Sequence, residues 1–387
     1  MTDFVGGNRI TLLTRGLEYF PELEAACDEA RQEIHIETYL FDDDVAGQRI
    51  GAALVRAVQR GVASHVLVDG FGSKRLSGAF VAGLQSAGVK FLVYRPEMTP
   101  LLTGRRLRRM HRKLAVIDAR VAFVGGINII DDMHTPGHTP PRFDYAVRVE
   151  GPLLGQIYPP VKRLWALTAF MQLGQDWHNL PAPRVAVSMR GTQRAAFVVR
   201  DNLRHRRDIE EAYLSAIGAA RSEILIANAY FFPGLGFRRA LMEAAARGVH
   251  VTLLLQGRVE YLLLHYASRA LYGAFLDAGI HIAEYHKSFL HAKVAVIDGA
   301  WATVGSSNID PFSLLLAREA NVVVNDPGFA AALRVSLATA MTEGAREVKR
   351  ENWRQQALLV RMATWIAYGV ARLLTGVFAY GRARELN

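Results

Sequence analysis

The nine residues MHRKLAVID (110–118) return about half a chain later as LHAKVAVID (290–298). The repetition is not confined to that phrase. EARQEIHIETYLF (29–41) is matched by AARSEILIANAYFF (219–232), and GAALVRAVQRGVASHVLVDG (51–70) by RRALMEAAARGVHVTLLLQG (238–257). LQSAGVKFLVY (84–94) is matched by FLDAGIHIAEY (275–285), and FDYAVRVEGP (143–152) by REANVVVNDP (318–327). The order of these pieces is the same in both halves, so the chain contains one folding unit twice.

Each half reads as strand, helix, strand, helix, strand and then a hairpin. IHIETYLF and SHVLVDG are short, apolar and β-branched, whereas GAALVRAVQRG between them has helical spacing and stops at Gly61. Such alternation predicts α/β layers around a largely buried mixed sheet. With 387 residues, half of them apolar, two cores are affordable. The expected division is a first half over 1–155, a linker over 156–190 that includes GQDWHNLPAPR, a second half over 191–350 and a tail over 351–387.

The repeated phrase carries chemistry. His111 and Lys113 are two residues apart, as are His291 and Lys293, and strand parity puts each pair on one face. A cation beside an imidazole suits an anion held between them. Asp118 and Asp298 fall on the opposite parity, where a hairpin turns, and read as scaffold. FVGGINI and TVGSSNI follow; their glycines allow close backbone approach, and Asn128 and Asn308 can donate to phosphate oxygens. Asp144 and Glu319 take matching places further on. A carboxylate bonded to one imidazole nitrogen orients the other, so Asp144 is expected to serve His111 and Glu319 to serve His291.

The pattern H-x-K-x4-D-x6-G-[GS]-x-N, present twice, resembles the phospholipase D superfamily over residues 8–327. RRMHRKLAVIDARVAFVGGIN and SFLHAKVAVIDGAWATVGSSNIDPFSL more narrowly resemble bacterial cardiolipin synthases of the short, B type. The resemblance implies two repeated α/β/α sandwich domains packed about a pseudo-two-fold axis with one shared active site. It counts Asp118 and Asp298 in the catalytic motif with the histidines and lysines, and it implies catalysis without a metal or other cofactor. It makes His111 the nucleophile and His291 the acid/base, an assignment the residues alone leave symmetric. The implied reaction moves a phosphatidyl group from one phosphatidylglycerol to another through a phosphohistidine, releasing glycerol. Hydrolysis to phosphatidic acid and nuclease chemistry are the alternatives. One departure is the longer stretch around His138, between Asn128 and Asp144, which bears on the pairing of Asp144.

The formal charge of +10 calls for an anionic partner: nucleic acid, an anionic membrane or a phosphorylated substrate. No aromatic-interleaved basic groove for nucleic acid stands out, and the tail favours lipid. ALLVRMATWIAYGVARLLTGVFAYG (357–381) carries Arg361, Thr364, Tyr368, Arg372 and Thr375 as a narrow polar stripe. It fits a helix lying in the membrane interface with its arginines toward lipid phosphates, or one packed on its own domain; central arginines oppose a span. Arg105, Arg106, Arg108 and Arg109 lead into the first motif and could gather anionic headgroups. Tyr261, Leu262, Leu263, Leu264 and Tyr266 either rim an acyl groove or belong to a core helix. The expected partners are therefore phosphatidylglycerol, cardiolipin and the membrane surface, and the expected place is peripheral, on the cytoplasmic face of a bacterial cell membrane. No basic and then apolar leader opens the sequence, and the lone Cys27 reads as a core thiol. DDMHTPGH (131–138) reads as a rim loop rather than a metal site. His35, His65, His250 and His281 read as packing residues, and Glu37 and Tyr39, ending a strand, are within reach of the site.

Overall fold

The computed structural model describes residues 2–96, 109–135, 137, 139–173, 185, 188–201, 205–259, 261–310, 317–354 and 358–383. The first half runs β1 (Val5–Thr14), α1 (Arg15–Asp28), β2 (Glu33–Thr38), α2 (Val45–Gln59), β3 (Ala63–Asp69), α3 (Gly78–Ser86), β4 (Lys90–Tyr94), β5 (Arg109–Met110), β6 (Leu114–Ile117), β7 (Val121–Gly125), β8 (Arg142–Phe143), β9 (Tyr145–Glu150) and α4 (Leu154–Leu173). The second runs β10 (Gln193–Arg200), α5 (Asp208–Ala219), β11 (Glu223–Asn228), α6 (Leu235–Ala246), β12 (His250–Gln256), α7 (Leu262–Arg269), α8 (Tyr272–Asp277), β13 (His281–Tyr285), β14 (Phe289–Leu290), β15 (Lys293–Ile297), β16 (Trp301–Gly305), β17 (Ala317–Asn325), α9 (Pro327–Gly344), β18 (Ala345–Glu347), α10 (Arg350–Arg354) and α11 (Leu358–Ala383).

The two halves join edge to edge. Across the sheet the order is β18-β13-β12-β11-β15-β16-β17-β10-β1-β9-β7-β6-β2-β3-β4. Apart from β18 this is the same seven-strand sequence read outward from the β1–β10 junction, which is antiparallel with Val5 opposite Ala195. The strands are buried on both faces, as β-branched runs such as Ile34–Ile36 and Val322–Val324 require. Helices α4 and α9 cover one face of the joined sheet, with Ile157, Val161, Leu333 and Leu337 in a core shared by both halves. Separate cores lie on the other face, under α1 and α2 in the first half and under α5, α6 and α8 in the second. This is the repeated α/β/α arrangement that the sequence suggests.

Each motif hairpin turns on its aspartate. Asp118 and Ala119 have φ of 52° and 49°, and Asp298 and Gly299 have 51° and 63°, the two left-handed residues of a tight hairpin turn. The Asp118 carboxylate then accepts from the amides of Arg31, Gln32 and Glu33 at 2.8–2.9 Å, and Asp298 from those of Arg221, Ser222 and Glu223 at 2.8–3.0 Å. Each aspartate ties its hairpin to the start of the neighbouring strand.

Three expectations need correction. Residues 154–173, placed mostly in the linker, form α4 despite Pro159 and Pro160, because its apolar side is buried against the sheet. His250 and His281 are exposed at strand starts, whereas His35 and His65 are buried and stacked 4.4 Å apart. The tail helix turns Thr364 and Ala371 inward, with Tyr368 5.6 Å from Phe232. Part of the polar stripe therefore faces protein, and Met362, Trp365, Ile366, Val370, Leu373 and Leu374 face out. Among the described residues no helix is long and apolar enough to cross a membrane.

Candidate active site

The short strands ahead of the two motifs change sides. β5 pairs with β17 of the second half, and β14 pairs with β8 of the first. The amide of His111 consequently donates to the carbonyl of Arg318 (2.9 Å), and that of His291 to the carbonyl of Phe143 (2.8 Å). Each histidine thus lies beside the acid strand of the other half. His111 Nδ1 is 2.9 and 3.1 Å from the two carboxylate oxygens of Glu319; His291 Nδ1 is 2.6 Å from Asp144 Oδ2. The expected pairing within each half is therefore wrong: Glu319 serves His111 and Asp144 serves His291.

The lysines are buried beside them. Lys113 Nζ donates to the carbonyl of His111 at 2.7 Å. Lys293 Nζ donates to the carbonyl of His291, lies 2.9 Å from its Nδ1 and 3.5 Å from Asp144 Oδ2. Burial is the largest influence on all the shifted groups here. It holds His111 below its ordinary value against the pull of Glu319, and holds His291 and Lys113 well below theirs. It raises Asp144, with Lys293 opposing. His111 feels the charge of Lys293, and His291 feels that of Lys113, so the two half-sites share one electrostatic environment.

The halves are not equivalent in detail. Ser306 Oγ donates to Glu319 at 2.5 Å. The corresponding residue in G-[GS]-x-N is Gly126, where a Cβ would lie 2.3 Å from Asp144 Oδ1, so only glycine fits under that carboxylate. Asp144 instead accepts from the amide of Tyr145 at 2.8 Å. Ser306 escaped the sequence reading although it stands in the quoted motif. Asn128 and Asn308 are buried just after β7 and β16; the side-chain oxygen of Asn128 accepts from Leu40 N at 3.1 Å, which fixes its carboxamide.

Asp118 and Asp298 are engaged with backbone amides at the far ends of β6 and β15. The resemblance put them among the catalytic residues; their contacts make them scaffold, as their parity suggested. For Asp298, partial burial works upward, but the amides of Glu223, Ser222 and Arg221 carry its carboxyl below the usual range.

Tyr39 packs edge-on to His111 with ring centres 4.8 Å apart. Glu37 lies behind the site, buried and 3.6 Å from the equally buried Arg112; burial pushes its carboxyl up to about 7 against Arg112. The positions matching this pair in the repeat are Ala227 and Ala292. In the Asp131–Asp132 loop, the Asp132 side chain accepts from Gly16 N and that of Asp131 from Met133 N. No group of three potential metal ligands occurs among the described residues. His138, Arg105, Arg106 and Arg108 lie outside the described residues; Arg109 stacks over Phe71 at 4.8 Å.

Comparison with known proteins matches the same two halves. The family described as cardiolipin synthase, PLD-like domain, matches residues 23–135 and 213–340, one segment per half. Cardiolipin synthase B of Escherichia coli (strain K12) is 43% identical over 336 residues, covering 86% of this chain and 80% of that protein. Cardiolipin synthase of Geobacillus kaustophilus is 30% identical over 81% of this chain and 62% of its own length. In fold, the chain resembles the crystal structure of phosphatidylserine synthase from Haemophilus influenzae, with a TM-score of 0.70 at 13% identity over 95% of this chain and 94% of the other. With both halves matched and their two His–Lys pairs facing each other's carboxylates, this chain belongs to the cardiolipin synthases of the phospholipase D-like family.

Proposed function

We propose that the protein is a phosphatidyltransferase that moves a phosphatidyl group from one phosphatidylglycerol to the glycerol hydroxyl of a second, making cardiolipin and releasing glycerol. The observation that carries this reading is the crossed pairing of His111 with Glu319 and His291 with Asp144 around two buried lysines, in a chain so close to cardiolipin synthase B.

His111 Nδ1 meets only carboxylate oxygens among the contacts described for it. Its proton therefore stays on Nδ1, and Nε2 keeps the lone pair that attacks phosphorus. His291 Nδ1 meets both a carboxylate and an ammonium, so a proton can move among three groups. That suits a residue that first protonates the departing glycerol oxygen and then takes the proton of the incoming hydroxyl. Lys113, Lys293, Asn128 and Asn308 stabilise the phosphoryl oxygens as negative charge builds. The lowered value of His111 keeps it neutral at pH 7, as the nucleophile must be, and the proton His291 hands to the leaving oxygen is drawn from the group it forms with Asp144 and Lys293.

Phosphatidylglycerol and cardiolipin are the proposed lipid partners, met at the cytoplasmic face of the membrane. The outward row Met362, the adjacent Trp365 and Ile366, Val370 and Leu373 shares one helix face and is 42–68% exposed. Such a row supports peripheral binding with the apolar side in the interface.

The test is purified protein with phosphatidylglycerol vesicles and a chelator, with lipid products separated by mass. Cardiolipin plus glycerol supports transfer. Phosphatidic acid alone makes water the acceptor, and no lipid product turns attention to nucleic acid.

A further inference from the structure

Given that reading, the second lipid needs a place for its own headgroup. In an in-line displacement the departing glycerol and the incoming hydroxyl occupy the same side of phosphorus, opposite His111 and next to His291. The acceptor carries a phosphate only a glycerol length from its attacking oxygen. A site for a glycerol phosphodiester is therefore required beside His291.

A small pocket of about 30 Å³ that opens to solvent lies there, lined by Tyr230, Gln256, Arg258, Tyr261 and His265 among others. The ring of Tyr230 is edge-on to His291 at 6.5 Å and 5.7 Å from that of Tyr261. Gln256 Nε2 donates at 3.1 Å to the carbonyl of Leu290, the residue before His291, and so ties the cavity wall to the catalytic strand. Arg258 donates through Nε (2.9 Å) and Nη2 (2.6 Å) to the carbonyl of His286, which holds its guanidinium in one orientation. A guanidinium fixed in this way is suited to phosphate. Burial holds His265 down to about 4, so it is neutral at pH 7 and can bond a hydroxyl.

The matching residues of the first half differ in chemistry. Where the second half has Gln256-Gly257-Arg258, the first has Asp69-Gly70-Phe71. Asp69 is a buried acid that accepts from the amides of Met110, Phe71 and Gly72 at 2.8–3.1 Å. There Arg109 stacks on Phe71 at 4.8 Å and lies 3.9 Å from Asp69, so its cation has an acid beside it, whereas Arg258 has the neutral amide of Gln256 in the matching place. We propose that the Tyr230–Arg258–Tyr261 cavity is the acceptor subsite and binds the glycerol phosphodiester headgroup of the incoming lipid, with Arg258 on its phosphate. In the transfer step the acceptor oxygen bonds to phosphorus, the P–N bond to His111 breaks, and the hydroxyl proton passes to His291.

The experiment compares wild type, Arg258→Met, Arg258→Lys and Tyr261→Leu on phosphatidylglycerol vesicles. Cardiolipin, phosphatidic acid and exchange of radiolabelled free glycerol into phosphatidylglycerol are measured in parallel. Loss of one charge-assisted contact should lower the ratio of cardiolipin to phosphatidic acid by about tenfold or more in Arg258→Met. Phosphatidic acid formation and exchange of neutral glycerol should stay within about twofold, because neither acceptor carries a phosphate. Arg258→Lys should recover part of the ratio. Tyr261 is half-exposed at the cavity mouth, so its replacement reads the cavity without burdening the fold, and Tyr261→Leu should also lower the ratio. An unchanged ratio in Arg258→Met and Tyr261→Leu, or equal loss of all three activities, overturns the subsite while wild-type cardiolipin synthesis stands. A wild type that makes only phosphatidic acid overturns the transferase reading itself, and the subsite with it.

Discussion

His111 and Glu319 stand 208 residues apart in the chain, yet their side chains meet at 2.9 Å. The mirror relationship joins His291 to Asp144 at 2.6 Å. Neither half therefore owns a complete histidine–carboxylate pair. Glu319→Gln should keep the shape of the site while spoiling the orientation of His111, lowering kcat by about 10²–10⁴-fold. Asp144→Asn should impair proton transfer by His291 and shift the pH profile as well as kcat. Because His291 protonates the glycerol that leaves as the P–N bond forms, both variants slow formation of the phosphohistidine, and mapping the trapped phosphoryl group separates the roles: it should sit on His111, and a phosphoryl group found on His291 would reverse them.

Acid should unfold the protein through its buried imidazoles. Burial holds His35 below its ordinary value and pushes His65 down to about 3. Between pH 6.5 and 3 these two imidazoles bind more protons in the unfolded chain than in the folded one, so their contribution to stability is lost as pH falls through this window, with Glu37, held up to about 7, opposing it above the ordinary carboxyl range. His65 alone accounts for on the order of 4 kcal/mol by pH 3. Urea titrations at pH 7 and pH 4 measure this. His65→Phe should flatten the difference, since a phenyl ring keeps the packing on Trp165 at 4.8 Å without the proton.

The two motif hairpins differ at one of their two left-handed turn positions. Ala119 has φ of 49° where its counterpart is Gly299. Ala119→Gly should stabilise the protein by about 1 kcal/mol, and Gly299→Ala should destabilise it by a similar amount. Equilibrium unfolding reads both, with kcat unchanged. Asp118→Ala, in contrast, leaves the amides of Arg31, Gln32 and Glu33 without their acceptor and should cost about 1–3 kcal/mol.

The outer row of α11 should govern vesicle binding. Replacing Trp365, Ile366 and Leu373 together by Ser should reduce binding to anionic vesicles by about tenfold or more, at roughly 0.8 kcal/mol per buried methylene lost. Hydrolysis of a soluble phosphodiester should be unaffected, because none of the three packs on the catalytic strands. Equal loss in both assays would make α11 part of the fold alone.

Much of this was legible in the residues. Period-2 and helical runs locate the strands and helices of both halves, and the repeat predicts that β2, β3 and β4 recur as β11, β12 and β13. The parity of Asp118 against His111 already points away from the site. The crossed carboxylates were not legible, because they depend on β5 and β14, two residues each, pairing with the opposite half. Local pattern says nothing about a contact 208 residues long. Helix α4 was not read, because GQDWHNLPAPR set the linker over 156–190; what forms the helix, with Pro159 and Pro160 inside it, is burial of Ile157 and Val161 against the sheet. The stripe of the tail helix was visible but its direction was not, since small and apolar groups around Tyr368 and Ala371 could face either protein or lipid.

The central claim is that two half-sites form one reaction centre. The most direct measurement compares kcat for His111→Ala, His291→Ala and the double variant, with folding checked by circular dichroism. A shared centre predicts that each single substitution removes essentially all turnover, about 10⁴-fold or more, and that the double variant is no worse than either. Two independent centres would leave each single variant with about half the wild-type rate, and that result would contradict the account.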